Sequence, residues 1–257
     1  MCGLRTRYST DLSDAEWEIL NALAYWLRAG CAWRLLPHDL PPWRTVYHYW
    51  RGWQQEGVWE RMLTTLRERV RLGREPTPSA AIVDGQSVRA SERGGLHGYD
   101  GGKKVSGVKR HLLVDTRGTV LVTCVSPASV GDRDGAVVLF SRAANAFPRL
   151  QHVWADQGYR GADFHSWARE ATGITVEVVQ RLEGGFRSTW SKAGTPPPAA
   201  PLFAVVPRRW VVERTFTWLG RCRRLSKDYE YLRVCSENAI YLTMAMLLVR
   251  RLARPAR

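Results

Sequence analysis

Three acidic residues carry the chemistry that this sequence could perform: Asp84 in AAIVDGQSV, Asp156 in HVWADQGYRG and Glu213 in RRWVVERTFTWLGRCRRL. Two aspartates and a glutamate are hard oxygen donors, suited to Mg2+ or Mn2+ and not to zinc. A pair of such ions about 4 Å apart activates a water or a 3′-hydroxyl and stabilises the leaving oxygen at a phosphodiester. Spacing alone leaves blander roles open. An aspartate at a strand end commonly forms a turn or caps a helix, and Glu213 can pair with Arg209 four residues earlier or with Arg214.

The elements that must position these groups can be read around them. Asp84 and Asp156 each follow a short apolar run, over 81–83 and 151–155, and each precedes a small or polar turn. Two neighbouring strands ending there would bring both carboxylates to the sheet edge where α/β folds place their sites. Glu213 falls in a helix predicted over 208–224, where Val212, Phe216 and Leu219 form an apolar stripe and set the glutamate at its border. Runs at 111–114 and 119–125, joined by Asp115-Thr116-Arg117-Gly118, read as a hairpin with Asp115 making the turn, and 174–179 is a fifth strand. Helices are expected over 134–145, 161–172 and 236–253. His111 reads as a satisfied core residue, and Asp132 and Asp134 as a loop and a helix cap. Strands first, then alternation with helices, predict an α/β domain with a mixed sheet over 80–253, carrying a Pro-rich insertion near 184–206.

Residues 1–75 have a different character. Seven of the 12 tryptophans lie before residue 60, and no strand-like alternation is present. Ser13 and Glu16 form a capping box ahead of Trp17, Leu20, Ala24 and Leu27 at helical spacing, with Gly30 as a stop. Two further helices are predicted, from Pro42 to Gly57 and over 58–72, before the linker GREPTPSA at 73–80. Three short helices around an aromatic core fit a small helix-turn-helix-like domain. Its second helix offers Arg44, His48, Arg51, Gln54 and Gln55 to a major groove, although helical trios also serve as dimerisation domains.

Charge narrows the partner. Against 38 Lys plus Arg stand 24 Asp plus Glu, a net +14 in 257 residues that are 45% hydrophobic. A foldable chain with this excess points to a polyanion, nucleic acid before membrane. No apolar run approaches the roughly 18 residues of a spanning helix, and the N-terminal stretch lacks a signal peptide's apolar core. The expectation is a soluble cytoplasmic protein. Its five cysteines are scattered and never spaced C-x-x-C, so neither zinc nor a disulfide framework is expected. From 207 to 233 eight basic residues face three acidic ones, with Arg209, Arg221, Arg223, Arg224 and Lys227 able to follow a phosphate backbone. A second cluster, DGGKKVSGVKRH, is expected to set Lys103, Lys104, Lys109 and Arg110 in a Gly-rich loop that closes on DNA near Asp84.

From IVDGQSV through GVKRHLLVD, WADQGYRG and RRWVVERTFTWLGRCRRLSKDYE, preceded by LSDAEWEIL, GCAWRLLP and WRTVYHYWRGW, the chain resembles bacterial insertion-sequence transposases of the DDE type, the insertion sequence five family in particular. The resemblance covers nearly the whole chain. It implies an RNase H-like catalytic domain, Mg2+ or Mn2+ held by Asp84, Asp156 and Glu213, and cleavage and strand transfer at the inverted-repeat ends of the element. It further implies double-stranded DNA as partner, both terminal repeats and target, a homodimer in the synaptic complex and nucleoid association in a bacterial cytoplasm. The family signature around the glutamate is Tyr, two residues, Arg, three residues, Glu, six residues, Lys. Arg209 and Glu213 match it, whereas Val206 and Gly220 occupy the Tyr and Lys positions and Arg221 lies one step further on. A non-catalytic DNA-binding derivative and a metal-dependent nuclease without strand transfer are the competing readings.

Overall fold

The computed structural model describes residues 12–71, 77–91, 95, 97–179 and 209–253. The Pro-rich insertion and Val206 lie outside them.

Helix α1 (Asp14–Ala29) starts on a complete capping box: Glu16 N–H donates to Ser13 Oγ at 3.2 Å, and Ser13 N–H to Glu16 Oε2 at 2.8 Å. Gly30, at φ 69°, ends it in the left-handed conformation that glycine adopts most readily. Helices α2 (Trp43–Gln55) and α3 (Val58–Val70) follow. Trp26, Trp50 and Trp59, one per helix, are almost wholly buried, with ring centroids 5.4 and 5.2 Å apart along the series.

Among the described residues the sheet has six strands: β1 (Ala80–Arg89), β2 (Gly98–Asp100), β3 (Val105–Asp115), β4 (Val120–Pro127), β5 (His152–Ala155) and β6 (Thr175–Val178). β3 lies antiparallel between β1 and the outer strands β4 and β2, while β1, β5 and β6 run parallel. Helices α4 (Asp132–Ala146) and α5 (Ala162–Thr172) join β4 to β5 and β5 to β6, and α6 (Arg209–Gly220) and α7 (Arg233–Leu252) complete the described chain. Alternation along β1 decides which core each side chain enters. Ala81 and Val83 pack with Leu139, Phe140 and Phe164 of α4 and α5. Ile82 enters the opposite core with Val212, Phe216, Ile240 and Leu248 of α6 and α7. This mixed sheet, flanked by helices and preceded by a helical region, is the RNase H-like architecture that the resemblance implies. The second core also holds Trp26, Trp50, Trp59 and Leu63, so the N-terminal helices share their apolar interior with α7.

Several sequence expectations are corrected. β1 does not end at Asp84 but runs on to Arg89, because β3 pairs with it continuously from Ala81↔Asp115 to Arg89↔Gly107. Lys109 and Arg110 are therefore β3 residues, not loop residues. The helix predicted over 208–224 stops at Gly220 and is followed by a 3-10 turn, Arg223–Leu225. Asp132 and Asp134 both lie in the first turn of α4 behind the N-cap Gly131, so the first is not loop and the second is not the cap.

Candidate active site

The parallel pairing of β1 with β5 ends at Ile82↔Trp154. Asp84 stands just past that ladder, and Asp156 immediately follows the last residue of β5. The two carboxylates thus emerge side by side at the C-terminal end of the parallel pair. Asp84 Oδ1 accepts from the Gly85 N–H at 2.7 Å. Burial pushes the Asp84 carboxyl up to about 6, and the negative charge of Asp156 adds to this against Gly85, Arg209 and Lys103. Asp156 caps a 3-10 turn, its Oδ1 accepting from the Gly158 N–H at 2.8 Å.

Glu213 comes from α6 but lies further into solvent than the border position its stripe predicts: Val212, Phe216 and Leu219 are buried, whereas the glutamate is exposed. Arg209 ties the two acidic elements together. Its Nη2 lies 3.8 Å from Asp156 Oδ2 and 3.5 Å from Glu213 Oε1. Asp84 and Glu213 line one open cleft of about 720 Å³ with Gln86, Ser87, Lys103 and Arg221. Among the described residues no three His, Cys, Asp or Glu side chains form a ready-made metal-binding group; Arg209 stands between two of the carboxylates. The donor set nevertheless fits a hard divalent ion. It offers only carboxylate oxygens, among them those of the half-buried Asp84, whose carboxyl is held up by burial and, to a lesser degree, by the charge of Asp156.

The basic residues divide into surface and interior groups. Lys103 and Lys104 are exposed on the turn after β2, which is fastened to the site: Asp100 Oδ1 accepts from the Gly102 and Lys103 N–H groups, Ser87 Oγ donates to Asp100 Oδ2, and Lys103 Nζ donates to Gly85 O at 2.9 Å. Arg221, Arg223, Lys227 and Arg44 are exposed, and Arg51 is half-buried. Three expected DNA-facing cations instead belong to the interior. Lys109 pairs with Asp132 at 3.2 Å and donates to Val130 O. Arg110 donates to the carbonyls of Leu225 and Lys227. Arg224 pairs with Glu230 at 2.7 Å and stacks over Trp26. Their burial explains the correction, since a buried cation persists only with such partners. Asp115 makes its turn as expected, accepting from the Arg117 and Thr119 N–H groups, and also holds Arg71 at 3.3 Å. His111 is wholly buried and pairs through Nε2 with Ser126 Oγ, but its Nδ1 has no hydrogen-bond partner.

Sequence reasoning missed how Asp132 and Tyr159 sit at this centre. For Asp132 the signal was a glycine shortly after each aspartate, Gly85 and Gly158. A Cβ on Gly85 would lie 2.9 Å from Asp132 Oδ1, and one on Gly158 would lie 3.0 Å from Asp156 Oδ1 and 3.1 Å from Asp132 Oδ2.

The family model described as "Transposase DDE domain" matches residues 75–248, which include Asp84, Asp156 and Glu213. A second, described as "Putative transposase of IS4/5 family", matches residues 9–63 across the N-terminal helices. No curated protein matches the chain. With most of its length, sheet and acidic cleft included, inside the first match, the chain belongs to the transposases with a DDE domain.

Proposed function

We propose that the protein binds double-stranded DNA at the inverted-repeat ends of its element, cleaves a phosphodiester there and joins the released 3′-hydroxyl to target DNA. The observation that carries this reading is that Arg209 bridges Asp156 and Glu213, while Asp84, which feels the charge of Asp156, lines an open cleft together with Glu213. Asp84, Asp156 and Glu213 are the residues that would hold Mg2+, with Mn2+ as a substitute. When bound, the ions activate the attacking oxygen and neutralise charge on the leaving one. In cleavage a water oxygen bonds to phosphorus as the bond to the 3′-oxygen breaks. In transfer that 3′-hydroxyl attacks a target phosphorus and displaces the target's own 3′-oxygen.

The chain's contribution is placement. Arg209 sits where it can exchange its carboxylate partners for a phosphate oxygen, and Lys103, fixed to Gly85 O, brings a cation to the mouth of the cleft. Arg221, Arg223 and Lys227 continue the track along the backbone with Lys104, and α2 offers Arg44 and Arg51 to the repeat. Holding two ends together calls for two copies, a homodimer at synapsis, and DNA binding places the protein on the nucleoid. Among the described residues no helix is long and apolar enough to cross a membrane.

The test is Asp84→Asn. It is expected to abolish Mg2+-dependent cleavage of a labelled end substrate while DNA binding persists. Persistent cleavage refutes the carboxylate assignment. Cleavage without joined products from the unmodified protein would reduce it to a nuclease.

A further inference from the structure

We propose that Asp132 is a positioning residue for the metal-binding carboxylates, acting on Asp156 from the sheet face opposite Glu213. The inference rests on the reading that Asp84, Asp156 and Glu213 hold divalent ions.

Three observations converge on Asp132. The first is space. The carboxylate of Asp132 occupies the room left by two glycines, one directly after Asp84 and the other two residues after Asp156. At Gly158 a single missing Cβ lies about 3 Å from both Asp156 Oδ1 and Asp132 Oδ2. A larger residue at 158 would press on both acids, and one at 85 would press on Asp132 alone.

The second is how Asp132 is held. Lys109, itself buried, lies 3.2 Å from Asp132 Oδ1, donates to Val130 O at 2.9 Å and reaches Asp100 Oδ2 at 3.7 Å. Lys109 thus holds Oδ1 by charge alone, since that oxygen accepts no hydrogen bond, while Oδ2 lies on the Gly158 side. It also links Asp132 to the turn that carries Lys103.

The third is an unused donor. Tyr159 is 0% exposed and its hydroxyl has no hydrogen-bond partner. The carboxylates in its surroundings are Asp84, Asp132 and Asp156, which add to burial in holding the phenol protonated. A buried O–H seldom goes without an acceptor, and here the available acceptors are the carboxylates of this centre. A cation held by Asp156 would relieve its repulsion with Asp132, and an oxygen of Asp132 left uncoordinated could then accept from Tyr159. Asp132 thus acts through Asp156, raising the site's affinity for a cation and fixing the orientation of the ligand.

The experiment is Mn2+ titration of the full chain without DNA, followed by electron paramagnetic resonance, with thermal unfolding recorded for each variant. Asp132→Asn is expected to weaken Mn2+ binding by about tenfold, in the range of outer partners of metal ligands. Tyr159→Phe, which removes one oxygen, is expected to shift affinity in the same direction by a smaller factor. A role confined to starting α4 predicts a lower melting temperature with unchanged Mn2+ affinity, and that result overturns the proposal. If Asp132→Asn does not fold, the Lys109→Met/Asp132→Asn pair removes both buried charges and is judged by the same titration. Asp84→Asn separates the two levels. Unchanged Mn2+ binding in that variant refutes the metal-site reading, whereas loss there with no change in Asp132→Asn and Tyr159→Phe refutes only the role of Asp132.

Discussion

Arg209 Nη2 lies 3.8 Å from Asp156 Oδ2, so the first residue of α6 is joined by charge to the end of β5. A guanidinium in this place competes with a divalent cation for the same oxygens. Arg209→Gln is expected to tighten Mn2+ binding about fivefold, roughly 1 kcal/mol of like-charge repulsion removed at a partly exposed site. Cleavage of an end substrate should fall by at least tenfold as the phosphate contact is lost. If affinity and cleavage fall together, Arg209 organises the carboxylates and does not compete for them.

Salt dependence should report the surface track. Arg221, Arg223 and Lys227 are exposed in the segment after α6. Each phosphate contact removed reduces the slope of log K against log salt by about 0.9. The triple change to Gln is expected to flatten the slope by about 2 to 3 units, measured by fluorescence anisotropy on a duplex end. An unchanged slope would remove this segment from the DNA footprint.

Packing beneath the site leaves no room for a methyl group at Gly135. A Cβ there would lie 2.2 Å from the ring of His111, a wholly buried side chain. Gly135→Ala should therefore destabilise the fold by about 1–3 kcal/mol, the usual cost of overpacking, even though alanine is the better helix former. Urea denaturation at neutral pH measures it, and a neutral or stabilising result would show that the ring can move aside.

His111 also sets an acid limit. Burial pulls its imidazole down from 6.5 to about 4, with Asp132 opposing and Lys109 assisting. As pH falls below 6.5 the unfolded chain binds a proton that the folded one refuses. The contribution of this residue to stability is thus present above that pH and is lost progressively down to about 4, by on the order of 3 kcal/mol. Buried carboxylates that are pushed upward, such as Asp228 and Glu230, work in the opposite sense, so His111→Gln is the reference. The stability of the unmodified protein should fall more steeply than that of the variant between pH 6.5 and 4.5. Parallel curves would show that His111 protonates within the fold.

Arg110 reaches from β3 to the carbonyls of Leu225 and Lys227, more than 100 residues away in sequence. Arg110→Met strips both carbonyls of their donor and leaves Asp228 and Glu230 without their buried neighbour. A loss of about 3 kcal/mol is expected, with faster amide exchange concentrated at 223–228. Uniformly faster exchange would place the effect in the core.

Much of the site was legible because its parts follow local rules. Asp84 and Asp156 each follow an apolar run, and the stripe Val212, Phe216, Leu219 marks the buried face of α6, although Glu213 is more exposed than a border position. The continuation of β1 beyond Asp84 was not legible, because GQSVR is held mainly by backbone pairing with β3 and has Val88 as its one large apolar side chain. Lys109 and Arg110 read as solvated loop for the same reason that they are buried successfully: their partners, Asp132 and the carbonyls of Val130, Leu225 and Lys227, are distant in sequence and leave no local pattern. Asp132 looked like an ordinary helix start; only the register that sets it between Gly85 and Gly158 distinguishes it.

The tryptophans of the three leading helices share one apolar interior with Ile240, Met244 and Leu248 of α7. During synthesis Trp26, Trp50 and Trp59 leave the ribosome long before those partners exist, and their rings stay uncovered or chaperoned until α7 arrives. A message broken before α7 therefore yields a sticky, short-lived fragment and not a freestanding DNA-binding module. Truncated copies of the element would make poor competitors for the ends that an intact copy must find.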